Sequence, residues 1–116
     1  MSTTVEVLKK LLDVSALRHE VLAHNLANAT TPGYRRQDVA FRDALTQAIG
    51  KNDAGAVSKV QASVQTDRNA PVDGRGNSVS MHLEMSALQE NSLLYGVSAQ
   101  ILNRKYARLQ SAIKGQ

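Results

Sequence analysis

The sequence predicts a mainly α chain. Two long terminal helices, in a coiled-coil or bundle arrangement, flank a short helix and an irregular middle that admits a short β segment. Apolar residues recur at steps of three and four along both ends of the chain. Glycine, proline, asparagine and serine gather between them. Large side chains are scarce, with one Phe, three Tyr and no Trp in 116 residues. Leu, Val, Ala and Met fill helix seams, but so few aromatics make a thin core, so the chain is expected to complete its burial against other chains. The length suits a single domain, taken as residues 1–116.

The N-terminal helix is expected over residues 4–29. Val5, Leu8, Leu12, Ser15, His19, Leu22, Leu26 and Ala29 fall on one seam. Leu11, Val14, Leu17 and Val21 widen it, so the helix can meet more than one neighbour. Thr3 with Glu6 matches a capping box, in which each side chain satisfies a free amide at the helix start.

Residues 30–80 form the expected middle. "DVAFRDALTQAI", residues 38–49, reads as a short helix capped by Asp38, with Phe41, Leu45 and Ile49 on one face. Beyond it lie four of the seven glycines and Pro71, the chemistry of loops. Within that stretch Val60, Ala62 and Val64 alternate, as a short strand would.

The C-terminal helix is expected over residues 81–114, with Ser80 as N-cap. Met81, Met85, Leu88, Ser92, Tyr95, Ala99, Leu102, Tyr106, Leu109 and Ile113 make its seam. Ala87, Leu94, Val97 and Ile101 form a second stripe. Gly96 lies inside the helix and weakens it by roughly 0.5–1 kcal/mol relative to Ala, which close packing of a neighbouring helix would explain.

Several classes of chemistry find little support. Without cysteine there is no disulfide framework and no thiolate site, which suits a reducing cytosol and an oxidising space equally. No apolar run approaches the ~20 residues of a membrane helix. The start lacks the pattern of a secretory signal, so export by the general secretory route is not expected. His19 and His24 are separated by about 140° around a helix and do not form a metal pair. His24 is more simply a partner for Glu20 one turn earlier. Asp13, Ser15 and His19 supply the letters of a hydrolytic triad on a packing seam, with no GxSxG elbow. "DGRGNS", residues 73–78, has a GxG without the rest of a phosphate loop and reads as turn chemistry. "NAT", residues 28–30, matches a glycosylation sequon by its letters only. No catalytic residue, metal site, cofactor or small-molecule substrate is expected. The net charge of +4 and a pI near 9.7 keep a small basic helical nucleic-acid-binding protein as the alternative function, although the cations are dispersed.

"NLANATTPGYRR", residues 25–36, breaks the first helix abruptly. Thr31-Pro32-Gly33-Tyr34 suits a type II turn, with Gly33 supplying the positive φ. Asn25 and Asn28 place two amides near the helix end, able to bond carbonyls of this chain or the backbone of another.

"HNLANATTPGYRRQDVAF", residues 24–41, resembles the NLANxxTPGY signature of bacterial flagellar axial proteins of the rod and hook group. The continuation "YRRQDVAF", the short length and the ending "MSALQENSLLYGVSAQILNRKYARLQSAI" resemble the proximal rod subunits. Other members close with a Glu-Met followed by an Ala-Gln-Arg-x-Tyr run, of which only Glu84 and Met85 are present here. The resemblance implies a structural subunit without catalysis. It would be exported unfolded or partly folded by the flagellar type III apparatus, without a cleaved signal. In the periplasm it would polymerise into the basal-body rod and transmit torque. It also implies partners: further copies, other rod proteins of the FlgC type, the adaptor FliE, the export gate and the membrane ring. By motif match, Asn25, Leu26, Ala27, Asn28, Thr31, Pro32, Gly33 and Tyr34 carry subunit assembly. Leu8, Leu12, Leu22, Met85, Leu88, Tyr95, Leu102, Tyr106 and Leu109 are the seam that would pack between helices.

Overall fold

A computed structural model of the chain describes residues 3–115. Met1, Ser2 and Gln116, included in the single domain expected above, lie outside the described residues. The elements run α1 (Thr3–Ala27), β1 (Gln37–Ala40), α2 (Arg42–Gly50), α3 (Ala54–Ser58), β2 (Ser63–Thr66) and α4 (Met81–Ile113). The two long terminal helices are present as the periodicity predicts.

α1 and α4 lie antiparallel. Val5 and Leu8 pack on Leu102, the Asn91 amide donates to the Ser15 carbonyl at 2.7 Å, and Asn25 meets Glu84 at the far end. The other face of α1 receives α3, with Val7 and Leu11 against a cluster of Leu45, Ala48, Val57 and Val60. α1 therefore sits between two neighbours, as its double apolar stripe requires. β1 and β2 pair antiparallel, with Gln37 opposite Thr66 and Ala40 opposite Ser63. The molecule measures 64 × 26 × 14 Å with a radius of gyration of 17.6 Å. A compact chain of this length would have about 13 Å, so elongation leaves much side-chain surface uncovered.

The structure corrects several expectations. α1 ends at Ala27, two residues early, because Asn28 opens the turn. Thr3 already lies within the helix and is not its N-cap. Asp38 stands in β1 rather than capping a helix; α2 begins after Phe41, which makes no side-chain cap bond. Leu45 is buried and Phe41 half-buried, but Ile49 is exposed. The expected loop contains α3, capped by the Asp53 carboxylate accepting from the Gly55 amide. β2 begins at Ser63, so Val60 precedes it and is buried in the α2–α3 cluster. Val64 is on the strand and exposed.

Ser80 caps α4 as expected, accepting from the Leu83 amide at 3.4 Å. The buried line of α4 is a surprise: Glu84, Asn91, Ser98 and Leu102, spaced by sevens and a four, face α1. Leu88 and Tyr106 are half-buried beside it, as is Leu12 on α1, while Leu8, Leu22 and Leu102 are buried. Met85, Tyr95 and Leu109 are exposed on this chain, so the expected seam is only partly closed within it. Gly96 is exposed with no atom within 4 Å of where a Cβ would stand, so no helix of this chain packs closely there.

Candidate functional site

The turn after α1 forms as Pro-Gly predicts. The Tyr34 amide donates to the Thr31 carbonyl at 3.2 Å, and Gly33 has φ 78°. A type II turn demands that positive φ, which glycine adopts without a Cβ penalty. Thr31, Pro32 and Gly33 stand exposed at the tip.

Asn25 and Asn28 both act within the chain. Asn25 is fully buried and uses each side of its amide. Its Nδ2 donates to the Gln37 carbonyl at 2.7 Å and to Glu84 Oε2 at 3.3 Å. Its Oδ1 accepts from the Gln37 amide at 2.9 Å and the Tyr34 hydroxyl at 3.1 Å. The amide thus imitates a strand partner for β1 and fixes where the chain goes after the turn. The Asn28 side chain donates to the His24 carbonyl at 2.9 Å, beside the Asn28 backbone amide at 3.2 Å, and accepts from the Thr31 hydroxyl at 3.1 Å, closing the helix end. Leu26 is half-buried and Ala27 exposed, so these two signature positions do not join the polar network.

A second loop locks the turn from the opposite side. Asp73 Oδ1 accepts from the Arg75 and Asn77 amides at 2.8 and 3.0 Å, which folds "DGRGNS" on itself. Those two amides, Asn77's first, hold the Asp73 carboxyl below its ordinary pKa. The loop then presents buried Asn77, whose Nδ2 donates to the Asn28 carbonyl at 3.0 Å and the Thr31 carbonyl at 2.8 Å. The Gly33 amide donates to the Arg75 carbonyl at 2.9 Å, and a Cβ on Gly76 would stand 3.5 Å from Gly33 Cα. That is ordinary contact, so what these two positions ask of glycine is the positive φ, 78° at Gly33 and 79° at Gly76.

Beneath the turn lies a charge network. Arg36 Nε and Nη2 donate to the two oxygens of Glu84 at 2.6 and 3.4 Å, and its Nη1 donates to Asp67 at 2.6 Å. Its Nη2 also reaches Asp38 at 3.3 Å, and Arg18 Nε donates to Asp38 at 2.9 Å. Glu84 is 1% exposed, so its charge depends on Arg36 and Asn25. Burial works against the Arg36 cation, but Glu84 and Asp67 outweigh it and hold its pKa above the ordinary value. For Asp38, burial would raise the carboxyl; the Arg18 bond, the Val39 amide and Arg36 reverse this and lower it. Burial and then the Glu84 charge push the Tyr34 phenol up, against the pull of Arg36.

Sequence reading placed the signature here but missed Arg36, Glu84, Asp67, Asn77 and Asp38. Glu84 lies in helix-seam surroundings where a carboxylate is ordinarily turned to solvent. The available signal was the turn chemistry of "DGRGNS", which marked a shaped loop without saying what it docks on. Ser15 is buried and His19 and Asp13 are exposed; no hydrogen bond joins the three among the described residues. The geometry is that of a rigid junction joining both long helices, the hairpin and an exposed turn.

No family model matches the chain. Comparison with curated proteins finds a flagellar basal body rod protein FlgB of Aeromonas hydrophila, 36% identical, covering 90% of this chain and 88% of that protein. The protein of the same name from Cereibacter sphaeroides is 32% identical over 85% of this chain and 84% of its own length. That of Salmonella typhimurium is 28% identical over 92% and 90%.

Proposed function

Because the chain belongs to the FlgB family of flagellar basal body rod proteins, we propose that it is a structural subunit of the proximal rod, polymerising through α1 and α4 without catalysis. The observation that carries this reading is the uncovered apolar surface of α4. Met81, Leu83, Met85, Leu93, Tyr95 and Ile113 are among its large apolar residues left exposed. Single exposed apolar residues are ordinary, but so many large ones along one helix mark a surface for other chains to cover.

The rod so built joins the membrane ring and export gate to the distal parts of the flagellum and transmits torque. Its neighbours are further copies, FlgC-like rod proteins, the adaptor FliE and the export gate. The subunit travels through the flagellar type III apparatus unfolded or partly folded, without a cleaved signal, and orders fully when neighbours bury α4. The signature residues Asn25, Leu26, Ala27, Asn28, Thr31, Pro32, Gly33 and Tyr34 serve assembly by holding the junction in shape and presenting the turn. The nucleic-acid alternative is weaker, since Arg18 and Arg36 are engaged by carboxylates of the chain itself.

Deleting the gene in its source bacterium and imaging basal bodies tests this reading. Loss of the rod with the membrane ring retained is expected; intact rods would overturn it.

A further inference from the structure

α4 carries a second, exposed stripe beside the line that faces α1, its Leu94 bordering a cleft that Val14, Ser15 and Arg18 of α1 also line. Leu94, Val97 and Ile101 are exposed at steps of three and four, and the same line continues into exposed Arg104 and Arg108. After Glu90 the sequence contains no acidic residue, so nothing on the distal part of α4 offsets these cations.

α1 carries the complementary stripe on its outer side, at whose edge Ala16 borders a cleft against Asn91, Ser92 and Tyr95 of α4. Asp13, Ala16, Glu20, Ala23 and Ala27 are all exposed, again at alternating steps of three and four. Neither Asp13 nor Glu20 has an ion-pair partner within 4 Å among the described residues. One stripe is large and cationic, the other small and anionic.

We infer that the exposed stripe of α4 in one copy seats on the outer stripe of α1 in the next copy, through an Arg104–Glu20 pair, with Arg108 over Ala16. This rests on the rod-subunit reading and deepens it by naming the faces. The register follows from the residues. Antiparallel alignment of Arg104 with Glu20 sets Ile101 beside Ala23 and Val97 beside Ala27, with large side chains over small ones. Lys9 and Glu90 then fall opposite positions beyond the helix ends, so no like charges meet. Orientation agrees as well. α1 and α4 are antiparallel within the chain, so copies that point the same way bring the α4 of one against the α1 of the next antiparallel. Each copy then offers a different face to each neighbour, a heterologous contact of the kind that builds rings or helical filaments.

The chain lacks cysteine, so an Ala23→Cys, Ile101→Cys double variant reports this contact directly. Glu84 opposite Asn25 sets the register within the chain and keeps residue 101 far along α4 from residue 23, so a disulfide between the two arises only between copies. In cells deleted for the gene and complemented with the double variant, oxidation is expected to produce a ladder of dimers and higher multimers in isolated basal bodies. Each single-cysteine variant is expected to give no multimers beyond dimers. Swimming cells whose basal bodies hold the double variant without a ladder would overturn the inference while leaving the rod reading intact. Absence of the wild-type chain from basal bodies would overturn both.

A charge exchange tests the same contact without cysteine. Glu20→Arg and Arg104→Glu are each expected to lower swimming at least tenfold, and the two together to restore it to within about threefold. If α4 seats on a different protein, or on an anionic surface, the pair restores nothing, and that result also overturns the inference.

Discussion

Asn25 Nδ2 lies 3.3 Å from Glu84 Oε2, so a fully buried amide at the end of α1 holds a buried carboxylate in the first turn of α4. The same amide pairs with both backbone groups of Gln37. Helix packing and strand entry thus depend on one side chain. Asn25→Ala would leave the Gln37 groups and part of Glu84 without partners. Each orphaned group costs about 1–3 kcal/mol, so the urea midpoint should fall strongly. Asn25→Asp is expected to be worse at pH 7 than Asn25→Ala, because it sets a second carboxylate beside Glu84 and removes the donor. Equal midpoints for the two variants would refute the role given to the Nδ2 group.

Arg36 and Glu84 should respond asymmetrically to mutation. Arg36→Met leaves Glu84 buried with Asn25 as its remaining partner and is expected to cost about 3–5 kcal/mol. Glu84→Gln leaves Arg36 with Asp67 and Asp38 and should cost less than half as much. Equilibrium unfolding of both variants decides the point, and similar losses would contradict it.

Gly33 tests the turn. Its φ of 78° is a left-handed conformation, and an added Cβ would meet nothing within 4 Å. The penalty for Gly33→Ala is therefore conformational, about 1–2 kcal/mol, and Gly33→Val should be costlier because its branched Cβ crowds the backbone. Gly33→Asn should be milder than either, since Asn tolerates this region. A Val variant as stable as wild type would show that the turn does not require positive φ.

Two of the perturbed groups near the turn, Asp38 and Tyr34, bracket the pH range of stability. The Asp38 carboxyl has a lowered pKa in the folded chain. Its contribution is therefore present above the unfolded value near about 4 and lost as pH falls through the folded value. Asp38→Asn should flatten the acid limb of the stability curve. The raised Tyr34 phenol has the opposite sense: its contribution is present below about pH 10 and fades as pH rises through the folded value. A difference titration of wild type against Tyr34→Phe at the tyrosinate absorbance should place the Tyr34 midpoint above 10, the ordinary value. A midpoint at or below it would be incompatible with the half-buried position beside Glu84.

Buried and exposed seam positions should separate stability from assembly. Leu102 packs with Val5 and Leu8, so Leu102→Asp should lower stability by more than about 3 kcal/mol and abolish swimming. Met85→Asp and Leu109→Asp lie on exposed positions and should change stability by under about 0.5 kcal/mol, yet prevent incorporation into basal bodies. Normal swimming with both would show that neighbours leave this surface uncovered.

By itself the sequence determined the local elements of this protein. Apolar period set the two long helices, Ser80 marked the start of α4, and Pro32-Gly33 specified the turn, because these follow from interactions among residues a few positions apart. Tertiary structure decided which faces are inside. α4 turns Glu84 and Asn91 toward α1 because Arg36, Asn25 and the Ser15 carbonyl wait there, and a satisfied polar group can be buried where an unsatisfied one cannot. The apolar residues that periodicity assigns to a closed seam, Met85, Tyr95 and Leu109 among them, are left outward on the single chain. Asp38 likewise went to a strand because Arg18 and Arg36, 20 and 2 residues away, offered it charge partners that no local pattern could announce.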